Sequence, residues 1–395
     1  MEKEPLWTKD YVLDVLINFL VYTVHFALML WAAGVALARW QVSVSAAGLA
    51  SGIFVVGALL ARLPAGRYID WAGRRRMFLS GAGAFFLFLV SYLAADGFAA
   101  FLAVRFLHGL AFGVLSTAAS TCAAALIPVK RMGSGIGYYT LGVTLASAAG
   151  PFTAMHCINA GVCEWVLYLS IGLAGVILGL SLWLCVPERR PSASERKELC
   201  RFAPDGFFAK PALPIGFVAL LGGVCYSTVL SFLGAYASAL GLSSVGGAYF
   251  FLCFAATSFV SRPLTGWMLD RYGGDAVVAP SLVLLVVSML TIAEAGSDWQ
   301  LLTGGLLLGA GYGTLTAACH ALAVRSAGKA QLGVATSTYF VLLDLGIGGG
   351  PYLLGGLVPA YGFSMVYLAA AVIALFGMYF YYGRRLTFGR KSFRV

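Results

Sequence analysis

Charge is what this sequence has least of: 16 acidic and 26 basic residues in 395, or 11% of the chain, against roughly 25% in an average soluble domain. A soluble chain of this length buries a sizeable core but cannot cover its outside with so few ions. A water-exposed globule is therefore excluded, and the solvent for most of the surface is lipid. No Gly-x-x-x-x-Gly-Lys-Ser/Thr loop is present, which argues against ATP-driven work. Without Cys-x-x-Cys, His-Glu-x-x-His or Gly-x-Ser-x-Gly, neither an enzyme nor a resident metal or cofactor is expected. The glycine-rich GIGGG of residues 346–350 lies inside an apolar run and follows no strand, so a dinucleotide reading fails. No Lys/Arg stripe alternates with aromatics, so the net charge of +10 does not describe a nucleic-acid surface.

What is there is apolar length. Hydrophobic residues make up 60% of the chain. Runs of about 20 residues or more occupy 11–38, 45–66, 76–95, 97–125, 133–157 and 163–186, then 213–240, 244–268, 276–295, 298–324, 332–357 and 362–383. As a helix each crosses roughly 30 Å of hydrocarbon at about 1.5 Å per residue. Forty-nine glycines suit helices that pack in lipid, where small residues let backbones approach. The expected fold is an all-α membrane protein of 12 transmembrane helices in two six-helix bundles, residues 1–186 and 213–395, joined by a polar cytoplasmic linker at 187–212. The first run is too long for a signal-peptide core and no small-residue cleavage site follows it, so it reads as an uncleaved first helix.

Loop charges set the orientation. One side carries Lys3, Lys9, Arg67, Arg74, Arg75, Arg76, Lys130 and Arg131, then Arg189, Arg190, Arg196, Lys197, Arg201 and Lys210 of the linker. It continues with Arg271, Arg325, Lys329, Arg384, Arg385, Arg390, Lys391 and Arg394. The other side carries Arg39 as its only cation, with Asp96, Glu164, Glu294 and Asp298. The excess of cations places both termini and the linker in the cytoplasm of a cell membrane. Membrane lipid and a small-molecule substrate are the expected partners, nucleic acid is not, and the chain is expected to act as a monomer. Cys157 and Cys163 flank a short outer loop whose spacing admits a disulfide or two free thiols. A metal site there with His156 and Glu164 lacks a closed ligand set.

The two halves repeat at an offset of 200 residues. Arg62, Gly66, Asp70 and Gly73 match Arg262, Gly266, Asp270 and Gly273; Gly109 and Gly113 match Gly309 and Gly313; Gly150-Pro151 matches Gly350-Pro351. Glycine matches come cheaply in so glycine-rich a chain, but the Arg-x-x-x-Gly-x-x-x-Asp-x-x-Gly string does not. Parallel repeats of this kind belong to transporters built as two bundles about a midplane site.

The segment GRYIDWAGRRR, Gly66 to Arg76, resembles the signature loop of the major facilitator superfamily, and GWMLDRYGG, Gly266 to Gly274, is its shadow. Helix 4 carries RFLHGLAFG, similar to that family's intramembrane Arg-x-x-Gln-Gly motif, with His108 in the glutamine position. Helix 5, from Gly137 to Gly150-Pro151, resembles the antiporter motif, with Ala146 and Ala154 where it prefers glycine. LLDLGIGGGPYLLGG in helix 11, Leu342 to Gly356, is similar to exporters of the drug:proton antiporter group. The resemblance implies a secondary transporter working by alternating access. It implies a gate of Arg62, Gly66, Asp70, Gly73 and Arg74 with Arg262, Gly266 and Asp270. Independently of it, Gly66 and Asp70 suit a short cytoplasmic turn, an Asp70–Arg74 pair suits a gate, and Arg74 to Arg76 suit plain anchoring. Pro151 and Pro351 suit helix bends, since proline removes a backbone donor.

Few ionisable groups lie at membrane depth, and each is costly there, so each is a candidate site residue. His25 sits about 21 Å from the inner edge, Arg105 about 13 Å from the outer edge and Asp344 about 18 Å from the inner edge, counting about 1.5 Å per residue. These depths share one layer. Tyr11, Asp14, Asn18, Tyr22, His25 and Met29 form a polar stripe on helix 1. Arg105 stays charged when buried and needs a carboxylate, a carbonyl array or an anionic substrate group. Asp344 suits a proton carrier and equally a hydrogen bond in a bent helix; His25 and His108 suit substrate or proton contact and equally packing. Asp14 reads either as a site residue or as an interfacial one. His320 reads as packing, and Tyr226 and Tyr236 as belt residues or substrate contacts. The expectation is proton-coupled export of a small organic molecule, a drug or an anionic amphiphile such as an opine-type metallophore. Proton-coupled import of sugars or organic acids is the alternative.

Overall fold

The computed structural model describes residues 5–189, 191–195, 204–242 and 244–388. Of the cations used for orientation, Lys3, Arg190, Arg196, Lys197, Arg201, Arg390, Lys391 and Arg394 lie outside the described residues. Among the described residues twelve long helices follow one another and there is no strand. In the first half they are α1 (Lys9–Trp40), α2 (Val44–Ala72), α3 (Arg74–Ser91), α4 (Phe98–Leu126), α5 (Met132–Asn159) and α6 (Trp165–Trp183). In the second half they are α7 (Leu213–Ala239), α8 (Ser244–Tyr272), α9 (Asp275–Ala293), α10 (Asp298–Ala327), α11 (Leu332–Gly355) and α12 (Val358–Phe388). Eleven are long and apolar enough to cross a membrane; α8, with 29 residues, matches them in length. Lipid offers no hydrogen bonds, so spans of this composition satisfy their backbones internally as helices.

Polar residues set the starts. Thr8 caps α1 by accepting from Tyr11 N at 3.2 Å, Ser43 caps α2 through Ala46 N and Ser297 caps α10 through Gln300 N. A π-helical turn at Gly309–Gly313 interrupts α10, and Gly362, at φ +78°, kinks α12.

One expectation is corrected. The signature segment is not a loop from Gly66 onward: α2 runs to Ala72 and α8 to Tyr272, so Gly66, Asp70, Gly266 and Asp270 lie in the last turns of helices. The reversal is made by one residue in each half, Gly73 at φ +96° and Gly273 at φ +84°, where a side chain would be strained. Gly66 serves close approach instead. A Cβ there would lie 2.5 Å from the Gly333 carbonyl oxygen, and one at Gly266 would lie 2.7 Å from that of Gly133. Pro151 and Pro351 lie inside continuous helices α5 and α11, and Gly150 packs with its Cα against α1. Gly350 packs against α7.

The chain forms two compact units. The first comprises Met1–Pro128, Gly142–Phe208 and Leu332–Ser337; the second comprises Val129–Leu141, Ala209–Gln331 and Thr338–Val395. The core of the first is apolar, built from residues such as Ile17, Val24, Phe78, Phe85 and Leu115.

Candidate functional site

Within the first unit the predicted residues of α1 and α4 meet around a triangular cluster of rings. The His25 imidazole stacks on Phe54, at 5.0 Å between centroids, and on Phe112, at 4.6 Å, and those two rings meet each other at 5.3 Å. Arg105 lies over Phe54 at 4.7 Å and Arg62 over Phe112 at 5.8 Å, so a guanidinium flanks each of the two phenylalanines. Tyr22 meets the edge of Phe112 at 5.3 Å. A cation over a desolvated ring gains from the ring quadrupole.

Arg105 is 1% exposed. Its Nε donates to the Ala50 carbonyl at 2.7 Å and one terminal nitrogen reaches the Met29 sulfur at 3.4 Å. Among the described residues no carboxylate pairs with it. The Tyr92 hydroxyl, within electrostatic reach of Arg105, meets His108 Nδ1 at 3.3 Å, while His108 Nε2 has no hydrogen-bond partner among the described residues. Tyr92 and His108 thus form a polar pair near Arg105 in an apolar surround that includes Phe85 and Phe54. Tyr92 was not singled out in the sequence, because it lies at the end of α3 with no motif around it.

Asp14 and Asn18 occupy the same face of α1 three and two turns before His25, at 0% and 1% exposure. Among the described residues neither carboxylate oxygen of Asp14 has a hydrogen-bond partner. Asp14 thus lies inside the first unit.

The second unit carries a related ring cluster. Tyr226 stacks on Phe254 at 5.4 Å and on Tyr312 at 4.3 Å with the rings 12° apart. Phe254 and Tyr312 lie 200 residues beyond Phe54 and Phe112, and Arg262, the mate of Arg62, donates to the Gly313 carbonyl at 3.1 Å and also to the Thr140 carbonyl. The position matching Arg105 is Gly305, so the additional cation belongs to the first unit alone. Asp344 is half-buried on α11 in the second unit, within electrostatic reach of Tyr312. His320 is buried and stacks on Tyr339 at 4.7 Å, and the Tyr236 hydroxyl donates to the Ala293 carbonyl at 2.9 Å. The offset that relates Phe54 to Phe254 and Phe112 to Tyr312 would have found these paired rings from sequence, had aromatics been compared as well as glycines.

The gate residues form polar clusters in each unit. Asp70 Oδ1 accepts from Arg74 Nε at 2.8 Å, and Arg62 donates to Ser116 Oγ at 3.1 Å. Asp270 accepts from Gly133 N at 2.7 Å, Ser134 N at 2.8 Å and Ser134 Oγ at 2.7 Å. Cys157 and Cys163 are free thiols, and among the described residues no group of three His, Cys, Asp or Glu gathers as a metal site.

The sequence profile of the Major Facilitator Superfamily matches residues 15–274 and 248–392. The MFS-type transporter YhhS of Escherichia coli K12 is 27% identical over 337 residues, covering 82% of this chain and 80% of that protein. The multidrug resistance protein MdtG of Escherichia fergusonii is 24% identical over 321 residues, covering 79% and 78%. Among solved structures, the human organic anion transporter MFSD10 aligns with a TM-score of 0.76 at 19% identity, over 96% of this chain and all of that one. The transporter FucP in its outward conformation aligns at 0.75 and 15% identity, over 95% and 99%. At such identities the structural likeness speaks for the fold alone.

Proposed function

The chain belongs to the Major Facilitator Superfamily, and from that premise we propose that it exports a small organic molecule carrying an anionic group, driven by protons through alternating access. The observation that carries this reading is Arg105, a buried guanidinium held by a carbonyl and a thioether, with no carboxylate beside it among the described residues. A cation taken out of water without a counter-charge is costly, and a substrate anion offsets that cost each time it binds. The rings of His25, Phe54, Phe112 and Tyr22 offer an apolar and stackable surround, which suits an amphiphile or an opine-type metallophore better than a sugar.

Asp344 is the proposed proton carrier, with Asp14, Asn18, His25 and His108 as the further polar residues that substrate or protons visit. The relation to MdtG, named as a multidrug resistance protein, supports the outward direction. The surplus of cations on one set of loops supports cytoplasmic termini in a cell membrane. No cofactor enters the scheme, and one chain suffices for it.

Everted membrane vesicles test the reading. With an inward-acid gradient, vesicles holding this protein should accumulate anionic amphiphiles from a solute panel, and a protonophore should abolish the uptake. Accumulation only in right-side-out vesicles would make the protein an importer, and transport indifferent to the gradient would remove the proton.

A further inference from the structure

One exposed face of α8 changes character along its length. Val260, Leu264, Trp267 and Arg271 recur at helical spacing and so share that face. Val260 and Leu264 are exposed and apolar, and the face then ends in aromatic and cationic side chains. The Arg271 guanidinium lies over the Trp267 ring at 5.4 Å and over the Tyr272 ring at 5.5 Å. The two rings meet edge to face at 5.8 Å, and both are exposed.

Two more cations, Lys130 and Arg131, immediately precede α5. The start of α5 crosses the end of α8: a Cβ on Gly133 would lie 2.7 Å from the Gly266 carbonyl oxygen and 3.0 Å from the Leu269 Cβ. Arg131 and Arg271 are each within two residues of that crossing. The acids nearby are already engaged. Asp270 accepts from two amides and a hydroxyl of α5, and Asp275, at the start of α9, accepts from the Tyr381 hydroxyl at 2.9 Å. Among the described residues no carboxylate pairs with Lys130, Arg131 or Arg271, and the Trp267 indole N–H and the Tyr272 hydroxyl have no hydrogen-bond partner.

The first unit shows such a cluster covered by the chain itself. Trp267 and Arg271 match Arg67 and Trp71 across the 200-residue offset, so cation and indole have exchanged places. Arg67 is 4% exposed. Its guanidinium lies over Phe207 at 4.4 Å and over Tyr68 at 5.5 Å, and a Cβ on Gly206 would come within 2.8 Å of one of its terminal nitrogens. The turn at Pro204–Phe207 therefore fills the end of α2. Among the described residues no segment does this for Arg271, which stays exposed. Its cover comes from the surroundings, and at the end of a membrane helix those are lipid headgroups.

We propose that this end of α8 binds one anionic phospholipid, with its phosphate on Arg271 and an acyl chain along Leu264 and Val260. The planar guanidinium fork matches two phosphate oxygens, and the two ring faces hold it in place. Indole and phenol rings favour headgroup depth, where the Trp267 N–H and the Tyr272 O–H find acceptors. Lys130 and Arg131 add the attraction that selects a net negative headgroup over a zwitterionic one. The apolar run that precedes the cations on the same face suits a lipid and offers nothing to free phosphate. Placing this lipid in the inner leaflet rests on the orientation proposed above; the binding itself does not.

Native mass spectrometry of the purified full-length protein in detergent tests the site, with phosphatidylglycerol and phosphatidylcholine of equal chain length added together. The parent protein should retain one phosphatidylglycerol with about fivefold preference or more over phosphatidylcholine. Arg271→Gln should lower that retention about fivefold, and Arg271→Lys, which keeps the charge and loses the fork, by a smaller factor. Arg76→Gln removes an exposed cation from α3 in the first unit and should change nothing. Equal retention of the two lipids by the parent, a loss in Arg76→Gln as large as in Arg271→Gln, or displacement of the lipid by inorganic phosphate would overturn the proposal. Retention is read without a gradient or a transported solute, so its outcome is independent of the direction and coupling of transport.

Discussion

Arg105 and Ala50 are joined by a 2.7 Å hydrogen bond from the guanidinium Nε to the backbone carbonyl of the neighbouring helix. This bond, not an ion pair, fixes the buried cation. Arg105→Ala removes a costly charge along with a useful bond, so folding stability should change by only about 1 kcal/mol. Transport of anionic substrates should fall more than tenfold, and of neutral ones less. Arg105→Lys should fail similarly, since one ammonium cannot reproduce the planar fork. Vesicle uptake beside thermal unfolding in detergent separates the two effects; equal losses for anionic and neutral substrates would make Arg105 structural.

Glycine packing gives a second expectation. A Cβ at Gly109 would collide with the Phe54 carbonyl oxygen, and one at Gly309 with that of Phe254. Both obstacles are backbone and cannot swing away. Gly109→Ala and Gly309→Ala should each destabilise by about 1–3 kcal/mol. Gly83→Ala on α3 meets nothing within 4 Å and should be neutral or gain up to about 1 kcal/mol from helix propensity. Unfolding temperatures of the three purified variants check the order.

The α5 cap is graded. Ser134→Ala removes one of three bonds to Asp270 and should cost about 1 kcal/mol, whereas Asp270→Ala removes all three and should cost at least about 2 kcal/mol. Asp70→Ala should leave α5 untouched, because its partners are Arg74 and Arg189. Amide exchange at Gly133 and Ser134 distinguishes these outcomes.

The segment after α6 carries a pH dependence, because Glu195 accepts from Arg189 and from Ser192 N. The Ser192 amide and Arg189 hold the Glu195 carboxyl below its ordinary range. A depressed carboxylate contributes order that is fully present above the ordinary glutamate value and is lost as pH falls through the lowered one. A spin label at Ser194 should therefore be immobile at neutral pH and become mobile only in acid, while Glu195→Gln should leave it mobile throughout. A label equally mobile at all pH values in the parent protein contradicts this.

Much was legible along the chain. The apolar runs coincide with the helices, and the repeat offset that relates the glycines and the signature string also relates Phe54 to Phe254 and Phe112 to Tyr312. The reading failed where a residue's role depends on distant chain. Gly66 looked like a turn residue because glycine and aspartate near a helix end usually are; only the approach of α11, some 270 positions away, makes it a crossing point. Tyr92 was silent for the same reason, since its partner His108 lies on another helix.

Hydrophobicity and periodicity are properties of neighbours in sequence, and lipid acts on them segment by segment. Composition alone therefore decided that this is a twelve-helix membrane chain with a buried arginine in its fourth span. Hydrogen bonds and ion pairs are chosen through space, among groups that many arrangements could satisfy. Only the folded molecule decided that Arg105 faces no acid among the described residues, that Asp270 caps α5, and that Asp70 is held by an arginine 119 residues away.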